Sequence, residues 1–216
     1  MSVRERLDAI LAQCCLIPVI SIEDAERAVP LARALLAGGV TTLEVTFRTA
    51  AASEAIRRIV REVPRACVGV GTIRSSDDVR RAVDLGAKFA VSPGTTGKLY
   101  AACAAAELPL LPGAATASEI LTALDNGCDV VKFFPAVPAG GIPAIKALRG
   151  PFPTVRFCPT GGINEANFVE WLRVPGVVAV GGTWLAPEDK IGASDWSGIT
   201  EIARRSIGRR TPPPQN

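Results

Sequence analysis

The stretch 129-DVVKFFPA-136 sets Lys132 inside the apolar run Val130, Val131, Phe133 and Phe134, which reads as a short buried strand. Lysine is among the residues least often buried without a partner. A cation left there is costly, so the side chain either reaches water or its amine is held neutral.

Segments of the same character recur along the chain: 14-CCLIPVI-20, 40-VTTLEVTF-47, 66-ACVGVGT-72, 88-KFAVS-92, 108-LPLLP-112, 154-TVRFCPT-160 and 177-VVAVGGT-183. With 129-DVVKFFP-135 they make eight strands. Helical patterns lie between them. Ser21-x-x-Asp24, Ser75-x-x-Asp78 and Thr116-x-x-Glu119 resemble capping boxes, and Gly38-Gly39, Gly86 and Gly127 mark helix ends. MSVRERLDAILAQ, before the first strand, reads as an amphipathic helix rather than a signal peptide. Strand–helix alternation without hairpin signals implies a parallel sheet. The α/β class that fits is a (β/α)8 TIM barrel with an extra N-terminal helix, and 216 residues lies near the short end for it. Residues 1–210 are expected to form one domain, and 211-TPPPQN-216 a disordered tail. The alternative is an open doubly wound sheet. Its usual GxGxxG after the first strand is missing, and Gly69-Val70-Gly71 is a weak substitute.

Composition narrows the chemistry. Apolar residues make up 48% and charged residues 21%, which suits a substantial core. A net charge of +3 does not argue for nucleic acid; Arg204, Arg205, Arg209 and Arg210 read as a solvated helix face. The apolar runs are too short to span a membrane. With no histidine, Ser-His-Asp and Cys-His catalysis and HExxH metal sites are excluded. Six cysteines without a CxxC pair read as reduced thiols in a cytoplasmic protein. That leaves lysine, carboxylates, cysteine, tyrosine or a metal held by oxygens for any chemistry, and no cofactor is expected.

In a barrel, chemistry belongs at the C-terminal ends of the strands. Polar residues collect there: Glu44, Thr46 and Arg48 on the second, Thr72 on the third, Ser92 on the fourth, Lys132 on the sixth, Thr160 on the seventh and Thr183 on the eighth. Alternation along 44-EVTFR-48 puts Glu44, Thr46 and Arg48 on one face, expected to be the barrel interior. Glu44 and Lys132 lie on opposite strands and can converge on one small ligand. A lysine of ordinary pKa is neutral only about once in 2,500 molecules at pH 7, and burial beside Arg48 would raise that fraction. A neutral amine beside a carboxylate suits a carbonyl substrate: the amine adds, the carboxylate relays protons and the iminium accepts electrons. The plainer alternatives are a self-satisfying Glu44–Arg48 pair and a Lys132 that snorkels to solvent. Gly161-Gly162 and Gly181-Gly182-Thr183, at consecutive strand ends, fit a phosphate cradle; otherwise they only permit tight turns.

The segments TTLEVTFRT, VGVGTI, FAVSPG, LLPGAAT, VKFFPA, GPFPTVRFCPTGGI and VGGTWL together resemble the 2-keto-3-deoxy-6-phosphogluconate aldolase family, which includes 4-hydroxy-2-oxoglutarate aldolase activity. They run in order over roughly residues 8–206, and KFFPA with RFCPTGGI is the specific part. The resemblance implies a class I aldolase, a homotrimeric barrel without a metal, that cleaves a 2-keto-4-hydroxy acid to pyruvate and an aldehyde. The substrate implied is 2-keto-3-deoxy-6-phosphogluconate, giving glyceraldehyde 3-phosphate, or 4-hydroxy-2-oxoglutarate, giving glyoxylate. By motif, Lys132 is the Schiff-base lysine and Glu44 the proton-transferring carboxylate. Arg48 and Thr72 match positions that hold the pyruvate carboxylate. Pro93 borders the pocket, and Thr160 matches a position that helps set stereochemistry. Gly161, Gly162, Gly181, Gly182 and Thr183 match the phosphate end, with Thr183 where serine is common in the family. Two other functions fit the same barrel. A sugar-phosphate isomerase or epimerase would use the glycine loops but leaves Lys132 unexplained, and a non-catalytic binder of a phosphorylated acid would form no covalent adduct.

Overall fold

A computed structural model describes residues 1–210, so the expected tail at 211–216 lies outside the described residues. Helix α1 (Val3–Gln13) precedes the first strand. The strands are β1 (Leu16–Ile20), β2 (Thr42–Thr46), β3 (Cys67–Gly71), β4 (Phe89–Val91), β5 (Leu110–Leu111), β6 (Gly113–Ala114), β7 (Val130–Phe133), β8 (Arg156–Phe157) and β9 (Val180–Gly182). Between and after them run α2 (Ala28–Ala37), α3 (Ala52–Glu62), α4 (Ser76–Asp84), α5 (Gly97–Ala105), α6 (Ala117–Asp125), α7 (Gly141–Arg149), α8 (Phe168–Leu172), α9 (Glu188–Gly192) and α10 (Trp196–Arg209).

The strand pairings are parallel, in the orders β5-β4-β3-β2-β1-β9 and β6-β7-β8. Single bridges from Phe157 to Val177 and from Thr160 to Gly181 join the second group to the first. This is an α/β fold with a curled parallel sheet. The expected strand over 108–112 instead falls into β5 and β6 on either side of Pro112. Proline lacks the N–H that a continuous ladder would use. The expected strand over 154–160 keeps only Arg156–Phe157 for the same reason at Pro159, although Cys158 N and Thr160 N still donate to Val131 O and Phe133 O at 2.8 and 3.0 Å.

Of the expected caps, Thr116 and Glu119 form a full box at α6, bonding in both directions. Ser75 accepts from Asp78 N, but the Asp78 carboxylate takes Arg74 N instead of closing the box. Ser21 caps nothing; Asp24 caps a single 3-10 turn over Ala25–Arg27 by accepting from Glu26 N. A box that sequence reading passed over, Ser2 with Glu5, opens α1.

Alternation divides the core in two. Outward-facing residues such as Leu16, Leu43, Val45, Val70 and Phe133 pack against the helix layer. Ile17, Phe89, Val91, Leu111, Val130, Cys158 and Ala179 form a separate inner cluster with Leu7, Ile10 and Leu11 of α1. Helix α1 therefore closes the N-terminal end of the strands, and Thr42 Oγ1 donates to Ile10 O at 3.4 Å there. Burying each of these three aliphatic side chains is worth about 1.5–3 kcal/mol relative to exposure. With this end sealed by apolar contacts, the strands' C-terminal ends are left for polar groups.

Candidate active site

Glu44 sits mid-strand in β2, between Val19 of β1 and Gly69 of β3 in register. Lys132 sits in β7, in register with Gly113 of β6. On its other side, Cys158 N donates to Val131 O and Phe133 N donates to Cys158 O, so Cys158 lies alongside Lys132. Small neighbours leave both long side chains room to point inward. Gly71, two residues beyond Gly69 on the same face, is required sterically: a Cβ there would lie 2.2 Å from Glu44 Oε1.

Lys132 Nζ donates to Glu44 Oε1 and Oε2 at 3.0 and 3.2 Å. The two side chains are 7% and 3% exposed, so this is a buried ion pair. Among the described residues neither charged group has another hydrogen-bond partner. A pair removed from water and otherwise unsupported does not repay its desolvation in stability. What the arrangement offers is chemical. One proton moved from Nζ to the carboxylate yields a free amine beside a carboxylic acid, with no change in the pair's net charge.

The Phe134 ring centroid lies 5.6 Å from Lys132 Nζ. Cys158 is fully buried, and that burial pushes its thiol up to about 12; the nearby Lys132 and the Thr160 hydroxyl oppose the shift, while Glu44 adds to it. The thiol is thus held protonated beside the amine. Phe134 and Cys158 were missed by sequence reading. The period-two rule identifies both, since they stand two residues from Lys132 and Thr160.

Arg48 departs from expectation. Strand β2 ends at Thr46, and Arg48 falls in the following turn, exposed and without a hydrogen-bond or ion-pair partner among the described residues. Phe47 N donates to Gly71 O as the ladder's last rung, and the chain then turns at Phe47 and Arg48. The supposed Glu44–Arg48 pair is not formed; Glu44 pairs with Lys132. Thr46 turns its hydroxyl to Ile20 O at 2.9 Å, in a structural bond.

Thr72, half-buried just after Gly71, has φ +62. That value is a genuine outlier for a β-branched residue, and such strain gathers at functional sites. Pro93 is half-buried, and its carbonyl group lies where a Cβ on Gly113 would be, 2.4 Å away. Thr160 is buried and bridges to Gly181, where a Cβ would fall 2.4 Å from Thr160 Oγ1. Gly161 and Gly162 have φ of +104 and +79, a region glycine enters freely. Gly182 is buried against the Trp184 ring, and Thr183 is exposed. Gly161-Gly162, in the loop after β8, and Gly181-Gly182, at the end of β9, are thus brought side by side. Two cavities of about 320 and 620 Å³ lie at the opposite end, against α1, and neither is lined by Lys132 or Glu44.

Comparison with known proteins shows the family and the fold. Residues 7–202 match the family described as KDPG and KHG aldolase. The KHG/KDPG aldolase of Escherichia coli strain K12 is 46% identical over 200 residues, covering 93% of this chain and 94% of that protein. A KDPG aldolase from Legionella pneumophila, solved with pyruvate captured at low pH as a covalent carbinolamine intermediate, superimposes with a TM-score of 0.90 at 46% identity, covering 92% of this chain and 96% of its own. The 2-keto-3-deoxy-6-phosphogluconate aldolase of Zymomonas mobilis ZM4, solved with 3-phosphoglycerate, gives a TM-score of 0.89 at 42% identity, covering 94% and 95%.

Proposed function

The chain belongs to the KDPG and KHG aldolase family, and from that membership we propose how its own residues divide the work of a Schiff-base retro-aldol cleavage. The protein is a class I aldolase, a carbon–carbon lyase acting on 2-keto-3-deoxy-6-phosphogluconate, with 4-hydroxy-2-oxoglutarate as a second substrate. The observation that carries the assignment of roles is the buried contact between Lys132 Nζ and the Glu44 carboxylate at 3.0 and 3.2 Å.

Proton transfer to Glu44 frees the Lys132 amine, which adds to the substrate's C2 carbonyl. Glu44 gives that proton to the carbinolamine hydroxyl, which leaves as water, so the iminium forms and the carboxylate is restored. Glu44, through a water, takes the C4 hydroxyl proton as the C3–C4 bond breaks. The bond's electrons flow into the iminium, leaving an enamine and releasing the aldehyde. Glu44 then returns a proton to C3, and hydrolysis frees pyruvate and the lysine. Arg48, in the turn after β2, holds the keto-acid carboxylate through a bidentate contact, helped by Thr72 after β3. Pro93 and Thr160 wall the reacting carbons. The glycine segments Gly161-Gly162 and Gly181-Gly182-Thr183 take the phosphate end.

The same reading treats β5 and β6 as two halves of one strand, which makes a closed (β/α)8 barrel capped by the N-terminal helix; the bridges between the two strand groups support closure. Residues 1–210 are read as one domain. A cytoplasmic homotrimer is part of the proposal. Its supports are family membership, the absence of disulfides among the six free cysteines, and the exposed apolar side chains Leu121 and Val137 that an interface would cover. Among the described residues no helix is long and apolar enough to cross a membrane.

Incubation with pyruvate and borohydride followed by mass analysis tests the roles. One reduced pyruvyl group per chain, on Lys132, is expected. An unmodified chain, or label spread over Lys98 and Lys190, overturns the assignment.

A further inference from the structure

The strand groups part at Pro112, next to the register partner of Lys132. Lys132 N donates to Pro112 O at 2.8 Å, so the amide and carbonyl of Gly113 face away from β7, towards β4. No ladder waits there, because β4 pairs with β5 and its last rung is Ser92 N to Leu111 O at 3.3 Å. Two hydroxyls fill the gap. Gly113 N donates to Ser92 Oγ at 3.2 Å, Ser92 Oγ lies 2.6 Å from Thr95 Oγ1, and Thr95 Oγ1 donates to Gly113 O at 3.5 Å. Since Ser92 Oγ accepts from the amide, its own proton is free for Thr95, whose proton then reaches the carbonyl. The result is a closed ring of donors around one buried glycine. Gly113 admits no side chain, because Pro93 and Gly94 press against it at 2.4 and 2.6 Å from a Cβ position.

We propose that Ser92 and Thr95 are positioning residues of the aldolase reaction: by clipping the Gly113 backbone they fix the seam beside β7 and so aim the Lys132 amine at Glu44 and the substrate carbonyl. Neither hydroxyl touches Nζ; they act through Gly113 and through the Pro93 turn that they hold against it. Ser92 is completely buried, so its hydroxyl is not there for solvation. The proposal rests on Lys132 being the Schiff-base lysine. A small misplacement of a reacting group is enough to cost about 10²-fold in rate.

The test is a time course of borohydride trapping with pyruvate, read by intact mass and peptide mapping, on the full chain and on Ser92→Ala, Thr95→Val and Thr95→Ser. The expected result is complete labelling of Lys132 in every protein at long times. The imine forms about 10- to 100-fold more slowly in Ser92→Ala, less slowly in Thr95→Val, and at the wild-type rate in Thr95→Ser, which restores the hydroxyl. In steady state kcat falls with the imine rate while KM moves far less. Wild-type imine rates in Ser92→Ala overturn the proposal. So does a reduced fraction of labelled chains reacting at an unchanged rate, which marks a purely structural hydroxyl. If Ser92→Ala does not fold, Thr95→Val decides by the same two readouts. Failure of the wild-type chain to label at Lys132 sinks the Schiff-base assignment instead.

Discussion

Asp129, just before β7, shares its carboxylate with Arg156 and Arg4, and Arg156 reaches on to Asp8 of α1 at 2.7 Å. Lys132, three residues further along, has Glu44 alone among the described residues. The first group is spread over several charges and keeps contact with water, with the Asp129 and Arg156 side chains 17% and 30% exposed. The second is a single ion pair almost out of contact with water. At the sealed end, charges cross-link: Arg156 ties α1 to the strands, and multiple hydrogen bonds with partial solvation keep desolvation low. At the open end, a pair with no further support can be reassigned, one proton or one covalent bond at a time. Charge shared widely serves as a fastener, and charge held by one partner serves as a reagent.

If the open end is a reagent, chemistry should suffer most there. Glu44→Gln keeps the shape but cannot accept a proton, so kcat should fall by about 10²–10⁴ with KM little altered. Steady-state kinetics decide; near wild-type kcat with a raised KM would demote Glu44 to an orienting group.

The next effect is thermodynamic. Lys132→Met leaves a buried carboxylate without its partner and should cost about 3–5 kcal/mol at neutral pH. Adding Glu44→Gln removes that charge too, so the double variant should recover much of the loss in urea denaturation. If it does not, the pair's burial is not the source of the cost.

At the sealed end the stakes are smaller. Arg156→Ala should lose about 1–3 kcal/mol of stability through its charged hydrogen bonds, with kcat intact on the folded protein. A kcat change as large as that of Glu44→Gln would erase the distinction between the two ends of β7.

Much of the site was legible from local pattern. Lys132 stood out because an apolar run surrounds it, and Glu44 because alternation and the strand count put it opposite. Those inferences need only the two-residue period of an extended backbone and a repeating topology. Arg48 lies past the end of the strand, where alternation no longer dictates direction. Where β2 ends depends on rungs supplied by β3, which are not written in 44-EVTFR-48. Cys158 and Phe134 obeyed the period but carried no charge to draw notice.

Sequence patterning was therefore sufficient for the parallel α/β class, the strand that carries the lysine and the facing carboxylate, while the family came from the resemblance of whole motifs such as KFFPA and RFCPTGGI. Tertiary contact was needed for the break at Pro112, the hydroxyl ring around Gly113, the seal that α1 makes over the inner core and the release of Arg48 into a turn. The division has one physical cause. Side-chain direction within a strand follows from backbone dihedrals two residues at a time, whereas strand ends, caps and seams follow from which distant donor meets which acceptor once the chain has folded.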